Sequence, residues 1–126
     1  MPILTVLLGV AADDALATAV ADELLDITVD TLHKRRDLTA VALQFVPPGQ
    51  WFIGGQAGAP TAFVEIRISA GSNRPEEIAA FVAAGHRALD ARLGLHAVSY
   101  VQVQEVPAAH WGWGGRTQAA RAAAAC

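Results

Sequence analysis

The chain has 126 residues, a formal net charge of −3 and a single cysteine, Cys126. That length suits one domain with its own buried core, the acidic balance gives no electrostatic footprint for nucleic acid, and one cysteine excludes an intrachain disulfide. The longest apolar stretch, residues 1–12, is shorter than the roughly 20 residues that cross a bilayer and lacks the basic leader and cleavage site of a secretory signal, so a cytoplasmic protein without membrane partners is expected.

In chain order, residues 3–8 form a nearly unbroken apolar run suited to a buried strand. Asp13 and Asp14 then signal a helix start, and Leu16, Val20, Leu24 and Ile27 recur on one helical face. The run His33-Lys34-Arg35-Arg36 closes this helix, where cations complement the macrodipole. A strand is expected over 39–46, then a Gly-rich hairpin, VPPGQWFIGG, over 46–55, with GQAGAP at 55–60 as a linker. Residues 63–68 alternate, placing Val64, Ile66 and Ile68 on one face and Glu65 and Arg67 on the other. A second helix opens at Asn73 with Pro75 and Glu76-Glu77 in its first turn, and carries Ile78, Phe81, Val82, Gly85 and Leu89. A strand over 98–106 and the hairpin VPAAHWGWGG over 106–115 follow, and the Ala-rich tail beyond is expected to fray.

The two hairpin sequences are near copies, sixty positions apart. The same offset places Val41 on Val101, Gln44 on Gln104, Val46-Pro47 on Val106-Pro107, Trp51 on Trp111 and Gly54-Gly55 on Gly114-Gly115, with no gap. Self-similarity at a fixed period marks a duplicated structural unit. Each copy reads strand, helix, strand, hairpin, so each is a right-handed βαβ crossover with parallel strands. The expected fold is α+β: one domain over 1–126 built from pseudo-repeats 2–55 and 62–115, with a four-stranded mixed sheet and both helices on one face. The other face, with Trp51 and Trp111 at the hairpins, then needs partners, and cyclic trimerisation covers it without open edges. The 53% apolar composition points the same way. A ferredoxin-like dimer also has two βαβ halves, but the Gly-Gly hairpins and the proline at position 2 argue against it.

Pro2 opening the first strand of a sixty-residue βαβ unit, together with the closing hairpin HWGWGG at 110–115, resembles the tautomerase superfamily, the group of 4-oxalocrotonate tautomerase, in its fused two-unit form. The resemblance covers residues 2–115. It implies a homotrimer, no cofactor, an amino-terminal proline acting as base or acid, and small 2-keto or unsaturated carboxylic acids as substrates, bound by arginines. Elementary chemistry agrees with a role for Pro2. Once Met1 is removed, Pro2 offers a secondary amine whose reference pKa of about 7.7–8.0 falls in an apolar, cation-lined pocket, and a base poised near neutrality suits proton abstraction beside a carbonyl. Arg74, near the start of the second helix, matches the family's carboxylate-gripping arginine; a solvated surface arginine is the plainer reading. The first copy has Asp14 at the matching place. Arg67, Tyr100 and Trp111 are further substrate-binding candidates, Tyr100 near where single-unit relatives carry a second arginine and Trp111 where they carry a pocket aromatic.

The superfamily also contains hydratases and dehalogenases acting on haloacrylates, and decarboxylases. Glu105 is the one carboxylate nominated to position water for them. A non-catalytic trimeric ligand-binding relative is the rival outside enzymology. His33, His86, His96 and His110 are scattered without metal-ligand spacing, so no metal is expected. Residues 112–115 follow a strand and open no helix, which excludes a dinucleotide fingerprint.

Overall fold

A computed structural model describes residues 1–125. Strand β1 (Ile3–Leu8) leads to α1 (Asp14–Leu32), a short 3-10 turn (Arg36–Leu38) and β2 (Ala40–Phe45). A second 3-10 turn (Pro48–Gln50) precedes a hairpin of β3 (Phe52–Ile53) and β4 (Gln56–Ala57). The order then repeats as β5 (Ala62–Ser69), α2 (Pro75–Leu93), β6 (Tyr100–Val106) and a hairpin of β7 (Gly112–Trp113) and β8 (Arg116–Thr117), with α3 (Gln118–Ala125) following. The sheet order is β2-β1-β5-β6. β1 pairs with β2, and β5 with β6, in parallel, while β1 and β5 run antiparallel. Thr5 lies opposite Glu65, Leu4 opposite Ile66 and Val6 opposite Val64. Exchanging the two copies maps this register onto itself, so a pseudo-two-fold axis passes through the Thr5–Glu65 pair.

One sheet face carries the helices. Leu4, Val6 and Leu8 of β1 and Val64, Ile66 and Ile68 of β5 are fully buried there against Val20, Leu24 and Leu32 of α1 and Phe81 and Leu89 of α2. Each such side chain contributes roughly 1.5–3 kcal/mol by leaving water. The α1 stripe extends beyond the expected residues to Thr28, whose buried hydroxyl donates to the Leu24 carbonyl at 2.7 Å. Gly85 lets α2 sit close to the sheet, since a Cβ there would already touch the Val101 methyls at 3.5 Å.

The helix ends differ from the sequence reading. Asp13 caps α1 through its Oδ1, which accepts the Leu16 N–H at 3.0 Å. The helix stops at Leu32 because His33 turns left-handed, φ 57°, so Lys34 and Arg35 lie in the following loop and Arg36 opens the 3-10 turn, none of them in the last turn of α1. Arg74 is the N-cap of α2, outside its first turn; Pro75 is the first helical residue, and the Glu77 carboxylate returns to accept the Arg74 N–H at 2.8 Å.

Both hairpins turn on a glycine pair with positive φ, 57° and 81° at Gly54-Gly55 and 60° and 80° at Gly114-Gly115, as a two-residue type I′ turn requires. The stretch expected to be a linker therefore begins with the return strand β4. The tail is likewise structured: the Gln118 N–H donates to the Trp111 carbonyl at 2.8 Å and the Ala119 N–H to the Ala108 carbonyl at 2.9 Å, and Thr117 Oγ1 accepts the Ala120 N–H at 3.0 Å. No helix among the described residues is long and apolar enough to cross a membrane.

Candidate active site at the chain start

The register places the beginning of β1 beside the end of β5. There Pro2 is buried, and its carbonyl accepts the Ala40 N–H at 3.2 Å, extending the β1–β2 ladder by one bond. Met1 lies on the wall of an open cavity of about 440 Å³, shared with Arg35, Ser69, Trp113, Gln118 and Arg121. A smaller cavity of about 340 Å³ also borders Met1 and Trp113 and adds Asp37 and Thr39. Four elements far apart in sequence thus meet at the amino end: the loop after α1, the end of β5, the second hairpin and α3.

This corner is cationic and partly dry. The Met1 amine is held below its usual range, first by burial and then by the nearby Lys34 ammonium. Burial also lowers the pKa of Lys34, offset in part by Glu77, and its Nζ donates to Ser72 Oγ at 3.0 Å. Arg35 forms a two-pronged pair with Asp37, Nε to Oδ1 at 3.1 Å and Nη2 to Oδ2 at 2.7 Å. Arg121 stacks on the Trp113 ring, its guanidinium carbon 3.5 Å from the centroid, and donates to the Trp113 carbonyl from Nε at 3.3 Å and Nη2 at 3.0 Å. Gln118 Nε2 donates to the Met1 carbonyl at 3.3 Å and ties α3 to the chain start.

The other residues singled out in the sequence lie elsewhere within the chain. Arg74 is 69% exposed, and its guanidinium faces Glu76 at 2.9 Å and Glu77 at 3.6 Å. Glu77 also meets His33 at 3.1 Å. The Arg74 N–H foremost, with Asn73, Arg74 and His33 after it, keeps the Glu77 carboxyl below the usual range despite opposing desolvation. Arg67 and Tyr100 occupy the helix-free sheet face: Arg67 pairs with Glu65 at 3.0 Å, and the Tyr100 ring lies 6.3 Å from that of Phe63. Trp111 lines a separate cavity with His110 and Arg116, and its buried Nε1 has no hydrogen-bond partner among the described residues. Glu105 Oε1 accepts the Gly71 N–H at 3.4 Å. Sequence reasoning did not place Arg35, Trp113, Gln118 or Arg121 at the chain start. Once the tail is read as a helix, the spacing of Gln118, Arg121 and Ala122 is the signal that puts them on one face.

Solved structures match this architecture over nearly its whole length. A symmetric trimer of a wild-type fused 4-OT, Q0, is 25% identical with a TM-score of 0.85, covering 94% of this chain and 98% of its own. A native fused 4-OT is 26% identical with a TM-score of 0.84, covering 94% and 97%. The chain has the fold of the fused 4-OTs of the tautomerase superfamily. Pt0534, solved after inactivation by 2-oxo-3-pentynoate, shares the fold at 19% identity and a TM-score of 0.86, with 94% and 98% covered. No family model and no curated protein matches the sequence. The 4-OT fold accounts for the duplicated βαβ units, the central antiparallel pair and the glycine hairpins.

Proposed function

We propose that this protein is a tautomerase that catalyses keto–enol proton transfer on a small 2-keto or unsaturated carboxylic acid, with Pro2 as general base. The observation that carries this reading is the chain start itself: an amine held below its usual range at the wall of a cavity with two guanidinium groups. Removal of Met1 turns the Pro2 nitrogen into a secondary amine one residue deeper, where the same burial and the same Lys34 act in the same direction. The neutral amine takes the proton from the enol oxygen. The O–H electron pair becomes part of the carbonyl, the C=C pair accepts a proton at carbon, and the amine is returned neutral. The cations balance charge that develops on oxygen.

Several features support the assembly around this step. Fused 4-OT relatives form trimers, and the helix-free face leaves Ile3 and Tyr100 exposed; a homotrimer covers them. Arg74, Arg67, Trp111 and Tyr100 lie outside the cavity of their own chain, so in this reading they serve a neighbouring copy's site. The protein acts as one cytoplasmic domain and needs no cofactor. The inactivator seen on Pt0534 is a 2-keto acid, in keeping with that substrate class. The hydratase alternative needs a carboxylate to position water, and its candidate, Glu105, faces the Gly71 N–H; tautomerisation needs fewer parts and is the reading favoured here.

The test is a steady-state assay of phenylenolpyruvate and 2-hydroxymuconate ketonisation, using protein whose mass shows Met1 removed. Ketonisation well above the spontaneous rate is expected. A rate equal to the spontaneous one on both substrates would sink the proposal.

A further inference from the structure

The cavity at the chain start holds two arginines in different electrostatic states. Arg35 meets a carboxylate of its own chain along one full guanidinium edge, Nε and Nη2 both facing Asp37. Its charge is therefore largely balanced before any ligand arrives. Arg121 is different: among the described residues its polar partner is the neutral Trp113 carbonyl, reached from Nε and Nη2. A guanidinium has five N–H donors in a planar fork. With the Nε–Nη2 edge on that carbonyl, the Nη1–Nη2 edge remains, and it has the geometry that grips a carboxylate through two parallel bonds.

The surroundings hold that side chain in place. Its flat face lies on the indole of Trp113, a contact worth about 0.5–1 kcal/mol or more when partly desolvated. Nη2 rests where a Cβ on Gly114 would come within 2.9 Å, so the glycine that makes the hairpin turn also makes room for the arginine. The helix carrying it is docked through Gln118 and Ala119, and Gln118 reaches the Met1 carbonyl. The Gln118 bond is lost with Met1, but the backbone bonds to Trp111 and Ala108 and the contact with Trp113 are not, so the cation stays fixed on the hairpin that lines the cavity.

We propose that Arg121 binds the substrate's carboxylate beside the amino-terminal base, which makes α3 the element that selects acids over neutral enols. The inference rests on the tautomerase reading, and it adds a binding residue that the duplicated part of the chain does not contain. Nothing equivalent exists in the first copy, where the hairpin leads into β5 and no helix follows.

The experiment uses the full-length protein and two readouts. Ketonisation kinetics are measured on an enol 2-keto acid, phenylenolpyruvate, and on its methyl ester, for the wild type, Arg121→Ala and Arg121→Lys. Binding of phenylpyruvate is followed by tryptophan fluorescence. Arg121→Ala is expected to lower kcat/KM on the acid by ten- to a hundred-fold, chiefly through KM, and to change the ester by less than three-fold. Its phenylpyruvate affinity should fall by a similar factor, its pH profile should be unchanged, and Arg121→Lys should recover only part, since an ammonium cannot reproduce the fork. Wild-type binding of phenylpyruvate that Arg121→Ala weakens, without turnover of either enol, would retain the inference and overturn the tautomerase reading. Wild-type turnover with equal losses on acid and ester, or with none, would overturn the inference and retain that reading. Absence of both binding and turnover in the wild type would overturn both.

Discussion

The pseudo-two-fold axis gives the sheet two equivalent corners, and the chain has treated them in opposite ways. One corner is the start of β1, with Met1, Pro2, Lys34, Arg35, Leu38 and Trp113. The sixty-residue offset carries these onto Thr61, Ala62, Gly94, Leu95, Val98 and Ile53. Every charge is lost in the exchange. The nitrogen is lost as a base too, because Ala62 lies inside the chain and its N–H is an amide. Thr61 closes the second corner: it is fully buried, its hydroxyl lies 3.1 Å from the Val98 carbonyl and 3.0 Å from Ser99 Oγ, and its own carbonyl accepts the Gly9 N–H at 2.8 Å. Two corners with one backbone plan thus show that the βαβ unit supplies a scaffold. Chemistry comes from a free terminus and a few side chains placed on it.

The largest effect should come from making the corners alike. A variant shown by mass to retain Met1 has an amide at position 2 as it has at position 62, and its kcat/KM on phenylenolpyruvate should fall to the spontaneous rate with an unchanged melting curve. Full activity in that preparation would remove Pro2 from the mechanism. Covalent labelling sharpens the same contrast. An amine-directed inactivator should saturate at about one label per chain, mapped by peptide mass to the Pro2 nitrogen and not to Lys34, the other amine at this corner; saturation at Lys34 with the terminus unlabelled would break the asymmetry.

A smaller effect is expected at the closed corner. Thr61→Val removes a buried hydroxyl and its bond to the Val98 carbonyl, while Ser99 Oγ keeps the His96 carbonyl, which should cost about 1–3 kcal/mol in chemical denaturation while leaving kcat/KM within two-fold. A large loss of activity at normal stability would mean that the closed corner also takes part in the reaction. The finest test is electrostatic. Lys34 lowers the pKa of the Met1 amine, as the second cause after burial, and the proposed mechanism carries that influence to the Pro2 amine once Met1 is removed. The base works when neutral, so kcat/KM rises with pH through that pKa. Lys34→Ala should shift this acidic limb to higher pH, yet not to the value of an exposed amine, because burial remains. A limb that moves to lower pH, or stays fixed, would show that Lys34 does not act on the base.

The duplication made most of the fold legible. Fixed spacing located both parallel pairs, both main helices and both hairpins, because each element was written twice and each copy checked the other. The chain start stood out for the same reason, as the position where the copies differ chemically. What the sequence hid depended on backbone events without such a check. His33 carries no obvious stop signal, yet its left-handed φ ends α1 and throws Arg35 toward the cavity rather than along the helix. Trp113 stands two residues from Trp111, and a two-residue strand has no periodicity to say which of them faces the amino end. The segment after Gly115 has no partner copy and is nearly all alanine, so neither pattern nor comparison revealed a helix carrying Gln118 and Arg121.

The bond from Gln118 to the Met1 carbonyl joins residues 117 positions apart. Contacts of such long sequence separation are slow to form, because closing the loop costs entropy before the contact returns anything. The sheet, whose pairings are closer in sequence, therefore precedes the finished cavity, because Gln118 and Arg121 of α3 form part of its wall. Maturation of this corner has two separate clocks: the removal of Met1, which frees the Pro2 nitrogen and ends the Gln118 bond, and the docking of α3 on the second hairpin through Gln118 and Ala119.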